Sequence, residues 1–225
     1  ESKLKAAMSD ESRSDADKAR DKNRKPVETL AFFGLKEDMR VLELLPGGGW
    51  YTRLLSAAVA DTGQLLVAVG TQGVEKKIAN GQFPGVEVVA IEQTSFGRPE
   101  GSRRFSIEDL KLNTKNIDLA LTFRNLHNFD EIGRQQLNSE AFRVLKRGGL
   151  YGVVDHTRRH MQSDNQENWR RMDPVLMIKE IEAAGFEFVD YSDLHYRADD
   201  ELQYEVGRRS VSGNTDRFTL LFRKP

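Results

Sequence analysis

Val41-Leu42-Glu43-Leu44-Leu45-Pro46-Gly47-Gly48-Gly49-Trp50-Tyr51 is an apolar run that breaks into three consecutive glycines and then into a helical pattern. It reads as strand, glycine-rich turn and helix. Glycine has no Cβ, so such a turn can take positive φ and let a ligand lie against backbone N–H groups. The helix N-terminus points its free N–H groups at the same place. Glu43, at the end of the strand, is an acceptor for a hydroxyl or amine of whatever rests on the glycines. A tight turn with a capping role is the plainer reading of these residues, and the neighbouring elements must decide.

Working outward, Pro26 opens a helix whose apolar residues Val27, Leu30, Ala31 and Phe33 fall at helical spacing before Gly34. Arg40 to Leu45 is the first strand, short and apolar as a buried parallel strand should be. Tyr51, Leu54, Leu55, Ala58 and Val59 give the following helix its inner face. Gln64 to Val69 is a second strand, and Gly70-Thr71-Gln72-Gly73 again follows it with pliant backbone. A short helix to Asn80-Gly81 leads to a third strand, Val86 to Ile91, so the chain repeats strand and helix. Residues 92 to 105 read as loop, Ile117 to Thr122 as a fourth strand, Glu131 to Leu145 as a helix closed by Lys146-Arg147-Gly148-Gly149, and Leu150 to Val154 as a fifth strand. After the polar stretch Asp155 to Asp173, a helix runs from Pro174 to Ala184. Phe186 to Tyr191 and Phe218 to Phe222 are strands with no helical pattern between them. A parallel crossover usually needs a helix, so this last pair is expected to be antiparallel. The expected fold is α/β: a Rossmann-like seven-stranded sheet, mostly parallel with an antiparallel C-terminal hairpin strand, and helices on both faces.

The chain of 225 residues, 38% hydrophobic, can bury one full core. Residues 26–225 are expected to form that domain, with residues 1–25 a polar helical extension or lid capped by Ser12 or Ser14. Lysine plus arginine (34) nearly balance aspartate plus glutamate (35), which removes the broad positive field of a nucleic-acid binder. A small-molecule partner is expected, with neither nucleic acid nor membrane. With no cysteine, thiolate metal sites and cysteine nucleophiles are excluded. No apolar run approaches the roughly 18 residues that span a bilayer. The chain begins at Glu1 and not at methionine, which leaves the compartment open: cytoplasmic, or periplasmic if a leader was removed. The oligomeric state is not legible.

Three segments together resemble the class I S-adenosylmethionine-dependent methyltransferases, over about residues 26 to 224. Glu43 to Gly49 is similar to that superfamily's first motif, Ile117 to His127 to its fourth-strand motif, and Phe142-Arg143-Val144-Leu145-Lys146-Arg147-Gly148-Gly149 to the helix and turn before its fifth strand. More narrowly, Arg20-Asp21 with Arg24 and Pro26, the Pro46 to Tyr51 loop, the Phe123 to Asn128 segment and Asp216 to Leu220 resemble a group of uncharacterised bacterial predicted methyltransferases, whose members often carry export leaders. The resemblance implies S-adenosylmethionine as cofactor and names no substrate.

Position by position, it implies that Glu43 contacts the cofactor's amino acid end, that Pro46, Gly47, Gly48 and Gly49 pack beneath it with Tyr51 nearby, and that Phe123 and Arg124 flank the methionine moiety. The superfamily usually ends its second strand with an acid that takes the ribose hydroxyls. Here that place reads Val69-Gly70-Thr71-Gln72, so Gly70, Thr71 and Gln72 are the candidates for that end, and either Thr71 or Gln72 bonds the ribose, or the affinity is poor, or the ligand differs. Leu45 also stands where glycine is usual.

Beyond the cofactor, His127 follows a strand at the ligand-binding edge of such a sheet, and Asp155 with His156 follows the fifth strand on the same edge. These three are the candidate proton acceptors. Each also has a plainer role in satisfying loop backbone. Trp50 and Tyr51 either approach a sulfonium or pack the helix start, the latter being the plainer role. His156 and His160 are four apart, but the segment lacks a helical pattern and no metal site is expected. Arg20 and Arg24, also four apart, share a face if helical and would form a fork for a carboxylate or phosphate on a small anionic acceptor. Two readings compete with methyl transfer. One is a nucleoside-binding module without catalysis, supported by the missing second-strand acid. The other is a nicotinamide-dependent oxidoreductase, which predicts G-x-G-x-x-G and an acid about 20 residues on, neither of which is present.

Overall fold

The structure, a computed structural model, describes residues 2–11 and 13–225. Ser12, one of the two expected caps, lies outside them. Ser14 does cap: its side chain accepts from the Asp17 N–H at the start of α2 (Asp15–Lys18). The strands are β1 (Arg40–Leu44), β2 (Gln64–Ala68), β3 (Glu87–Val88), β4 (Ile91–Gly97), β5 (Ser106–Leu112), β6 (Ile117–Phe123), β7 (Leu145–His156), β8 (Glu187–Ser192) and β9 (Arg217–Arg223). The remaining helices are α1 (Ser2–Met8), α3 (Asp21–Arg24), α4 (Pro26–Phe32), α5 (Trp50–Val59), α6 (Gln72–Ala79), α7 (Glu131–Val144) and α8 (Pro174–Ala183).

Seven strands form the central sheet in the order β3-β2-β1-β6-β7-β9-β8. β1 runs parallel to β2 and β6, and β6 parallel to β7, whereas β9 is antiparallel to both β7 and β8. The strand order reverses at β1/β6, which in open α/β sheets is where a ligand crevice forms beyond the carboxyl ends of the strands. Alternation along the strands sends Val41, Leu65, Leu119 and Leu121 to a core shared with α1, α4 and α5. Leu42, Leu44, Leu66 and Ala120 go to the opposite core, under α7 and α8. Local signals place those helices. Asp130 accepts from the Gly133 N–H at the head of α7, and Asp173 with Pro174 starts α8 in the same way.

Several expectations need correction. Residues 92 to 105 are not simply loop, because β4 enters them and pairs antiparallel with β5 as a two-stranded hairpin off the main sheet. The third strand is shorter than Val86 to Ile91, with only Glu87 and Val88 pairing with β2. The helix expected over 15–25 is two single turns, α2 and α3, ended by Lys25 in the left-handed region (φ 40°). Pro26 explains the end of α3, since its ring disfavours helical backbone at the residue before it. Ser2–Met8 forms a helix that the polar composition hid, and Leu4 is the residue it buries against α5 and α4.

Candidate functional site

At the carboxyl edge of β1 and β6 lies a cavity of about 240 Å³. Its walls carry Glu43, Pro46, Gly47 and Gly48 from the first strand and loop, Tyr51 from α5, and Phe123 and Arg124 from β6 and its exit. Asp17, Arg20 and Arg24 of the N-terminal segment also line it. The cavity therefore gathers residues that the sequence singled out from three separate stretches.

The N-terminal segment is tied down by specific bonds. Arg13 donates to the Met8 carbonyl (2.7 Å) and to both carboxylate oxygens of Asp21, and the Trp50 indole N–H donates to the Asp17 carbonyl (3.1 Å). Buried His195 takes part too: its Nε2 donates to the Arg24 carbonyl (3.0 Å), while Nδ1 meets the Thr219 hydroxyl (2.6 Å). That bond puts a proton on Nε2, and burial, against the raising effect of the same bond, pulls the pKa down to about 4, which leaves the ring neutral near pH 7. The result places the Arg24 guanidinium 4.2 Å from the Trp50 ring centroid, a cation–π contact. Trp50 thus takes a cation from the protein itself. Tyr51 stacks on Phe123 with centroids 3.6 Å apart and planes 9° apart, forming an aromatic wall.

Glu43 is fully buried and accepts one hydrogen bond, from the Thr52 hydroxyl at 2.6 Å. Burial raises its pKa from 4.5 to about 7, against the lowering effects of Thr52 and Arg24. A carboxylate held this way gains from any cation brought to it. Opposite, the guanidiniums of Arg24 and Arg124 make no hydrogen bond or ion pair with any described residue, although Arg24 is only 6% exposed. Arg20 is different, its side chain 54% exposed and 3.8 Å from Asp17.

The backbone at this edge is strained. Leu45, Val69 and Arg124, the residues just past β1, β2 and β6, all sit in the left-handed region at φ 58°, 63° and 61°. These are adjacent strands, and each such residue costs about 1–2 kcal/mol. Strain aligned across three neighbouring strand ends is the kind that persists at functional sites. Asn125 supports it by donating to the carbonyls of Leu44 and Leu45.

The second-strand end is less open. Thr71 is buried with its hydroxyl bonded to Glu75 (2.5 Å), Gln72 is exposed, and Gly70 lies beside the Leu45 side chain. A Cβ at Gly73 would collide with the Gly47 carbonyl, so α6 packs hard against the glycine loop. Glu75, which the sequence reading passed over, is the carboxylate that this end supplies. Gly49 supports Phe83 and is not on the cavity wall.

His127, Asp155 and His156 form a separate buried cluster. Asp155 accepts from His127 Nδ1 (2.6 Å), from the His127 backbone N–H (3.0 Å) and from the His156 backbone N–H (2.7 Å). With Nδ1 donating to Asp155, Nε2 is the nitrogen left free of a protein partner among the described residues. His156 Nδ1 is bonded to the Thr215 hydroxyl (2.7 Å). Burial, then the charges of His127, Arg217, Arg124 and Arg171, hold His156 well below the ordinary histidine range. Ligand atoms of the three residues lie within 4.8 Å of one another, close enough to share a metal ion. The same ring of arginines opposes a second cation there, and the bonding of Asp155 is that of a carboxylate orienting an imidazole. His160 is outside this group, paired with Asp173.

No protein-family model matches the chain, and neither does any curated protein. Solved structures do. A SAM-dependent methyltransferase from Aquifex aeolicus superposes with a TM-score of 0.63 at 17% identity, covering 100% of this chain and 98% of that one. The [4+2]-cyclase SpnF gives 0.58 at 19% identity over 93% and 81%. A TehB-like SAM-dependent methyltransferase from Corynebacterium glutamicum gives 0.55 at 13% identity over 87% and 85%. The fold is that of the class I S-adenosylmethionine-dependent methyltransferases.

The residues present fit that cofactor at one end. Glu43 is an acid that would suit an α-ammonium and Arg124 a cation that would suit an α-carboxylate, and a Cβ built at Gly47 or Gly48 meets nothing within 4 Å, which leaves the loop's upper surface clear. Gly48 has no positive φ, so a side chain there is not strained. Gly48→Val is therefore expected to fold with an unchanged Tm yet bind S-adenosylhomocysteine at least tenfold more weakly, about 1.4 kcal/mol. Unchanged calorimetric affinity would remove the loop from the cofactor bed.

Proposed function

We propose that this protein transfers a methyl group from S-adenosylmethionine to a small-molecule acceptor. One observation carries the reading: over an unobstructed glycine loop, a buried acid and an unpaired arginine face one cavity, a charge pair complementary to an amino acid zwitterion. When bound, the cofactor supplies an electrophilic methyl on sulfur. The chain's own work is to hold the two reactants in line, which supplies most of the acceleration in reactions of this kind. Glu43 and Arg124 fix the amino acid end, Gly47 and Gly48 admit the ligand, and the Tyr51 and Phe123 pair walls the cavity. His127 does not line this cavity but follows Phe123, Arg124 and Asn125 of its wall; oriented by Asp155, it is the base this reading assigns to the acceptor's proton, on Nε2, where the nucleophile carries one.

A second reading is a binding protein, or an enzyme that uses this fold for another reaction. It is favoured by the crowding of Leu45, Gly70 and α6 at the ribose end, and by the presence of a [4+2]-cyclase among the similar structures. Calorimetry with S-adenosylhomocysteine, followed by incubation with methyl-labelled S-adenosylmethionine and a small-metabolite extract, separates the two. Binding with label transferred to a small molecule supports the enzyme; binding without transfer to any fraction supports the second reading.

A further inference from the structure

Buried Arg24 and half-buried Arg124 line the cavity, and another buried arginine, Arg217, stands outside its wall and lines a neighbouring apolar cavity instead. Arg24, Arg124 and Arg217 all act on the Tyr51 phenol, and Arg24 and Arg217 both feel Arg124 as their largest charged neighbour. Arg217, at the start of β9, is 5% exposed; its Nη1 donates to the Asn23 carbonyl (2.9 Å), and its Nε is buried without a partner. Asn23 precedes Arg24, so this bond sets Arg217 directly behind the N-terminal segment. Among the described acids, Asp17 faces Arg20, Asp155 is committed to His127, and Glu43 sits deep under Thr52. Burying a guanidinium with no anion is costly, and proteins seldom do so without a ligand to justify it. The cofactor does not restore balance. Its carboxylate answers one arginine, while its sulfonium and ammonium add positive charge.

Resting on the function proposed above, we infer that the methyl acceptor carries a carboxylate or phosphate group, and that Arg24, lining the cavity beneath Trp50, grips it with Arg217 behind. This differs from a fork of Arg20 and Arg24 on one helix. Arg20 is turned to solvent and Asp17, and the second cation comes from the far end of the chain. A planar guanidinium free of other bonds can take an oxyanion with two parallel N–H donors. The neighbouring charges raise the local attraction for any anion.

The test is thermal unfolding of the full chain saturated with S-adenosylhomocysteine, in inorganic phosphate or in succinate, against chloride at matched ionic strength. Either anion should raise Tm above the chloride value, and the better of the two identifies phosphate or carboxylate as the acceptor's group. Arg24→Gln and Arg217→Gln, made in parallel so that one survives if the other does not fold, should lose that increment. Arg223→Gln, at the other end of β9, should keep it. The proposal is overturned by increments no larger than in chloride, by increments that persist in both variants, or by anions that displace S-adenosylhomocysteine, which would give these arginines to the cofactor's own carboxylate. A chain that never binds S-adenosylhomocysteine defeats the methyltransferase reading alone, because the anion increment is then read on the free protein.

Discussion

His127→Gln is expected to lower methyl-transfer turnover by ~10²–10⁴-fold, the usual worth of a positioned general base, with S-adenosylhomocysteine affinity changed little. The expectation follows from the hydrogen bonds. Asp155 holds the Nδ1 proton, so the glutamine amide can replace the bond to the carboxylate but offers no basic nitrogen in place of Nε2. Asp155→Asn should give a comparable loss and should also destabilise the fold by about 1–3 kcal/mol, because the carboxylate accepts two backbone N–H groups as well as the ring. The readout is kcat against KM with Tm measured alongside. Loss of stability with unaltered turnover would make the cluster a buried strut at the ends of β6 and β7.

Glu43→Gln is expected to weaken S-adenosylhomocysteine by about 2–3 kcal/mol, since a charged hydrogen bond to the ligand's ammonium is replaced by a neutral one in a dry site. The pH profile is the sharper signature. With its pKa raised to about 7, Glu43 keeps its proton in the folded chain through a window, from about pH 4.5 to 7, in which the unfolded chain has lost it. The folded state binds more protons there, so the stability of the free protein falls as pH rises through that window, by up to ~3 kcal/mol. Cofactor affinity should move the opposite way, rising toward and past pH 7 as the carboxylate ionises. Both slopes should flatten in Glu43→Gln. Parallel profiles in the parent and the variant would mean that Glu43 does not face the ligand's amine.

Much of the fold was legible because its signals are local. Hydrophobic runs bounded by glycine and proline placed β1, β2, β6 and the last two strands, and the missing helix between Ser192 and Arg217 indicated the antiparallel end. The hairpin β4–β5 was not legible, since its residues are largely exposed and alternate weakly, and a strand pair off the main sheet leaves no buried run to read. The cavity wall was partly visible as motif residues. Arg217, off that wall, stood in the Asp216 to Leu220 segment with no role attached to it, for its role depends on β9 delivering it beside Asn23, almost two hundred positions away in sequence. Thr52 was likewise read only as part of a helix, although its hydroxyl is the group that Glu43 uses. At the end of β2, Thr71 and Gln72 were chosen by their place after the strand, and only the structure brings Glu75 back to Thr71 by one turn of α6.

The most direct measurement is a crystal structure of the complex with S-adenosylhomocysteine. The account predicts the amino group against Glu43, the carboxylate toward Arg124, the chain of the ligand over Gly47 and Gly48, and the sulfur turned toward the side where His127 stands. Density lying elsewhere on the sheet edge, or a ligand whose amino acid end leaves Glu43 and Arg124 untouched, would contradict it.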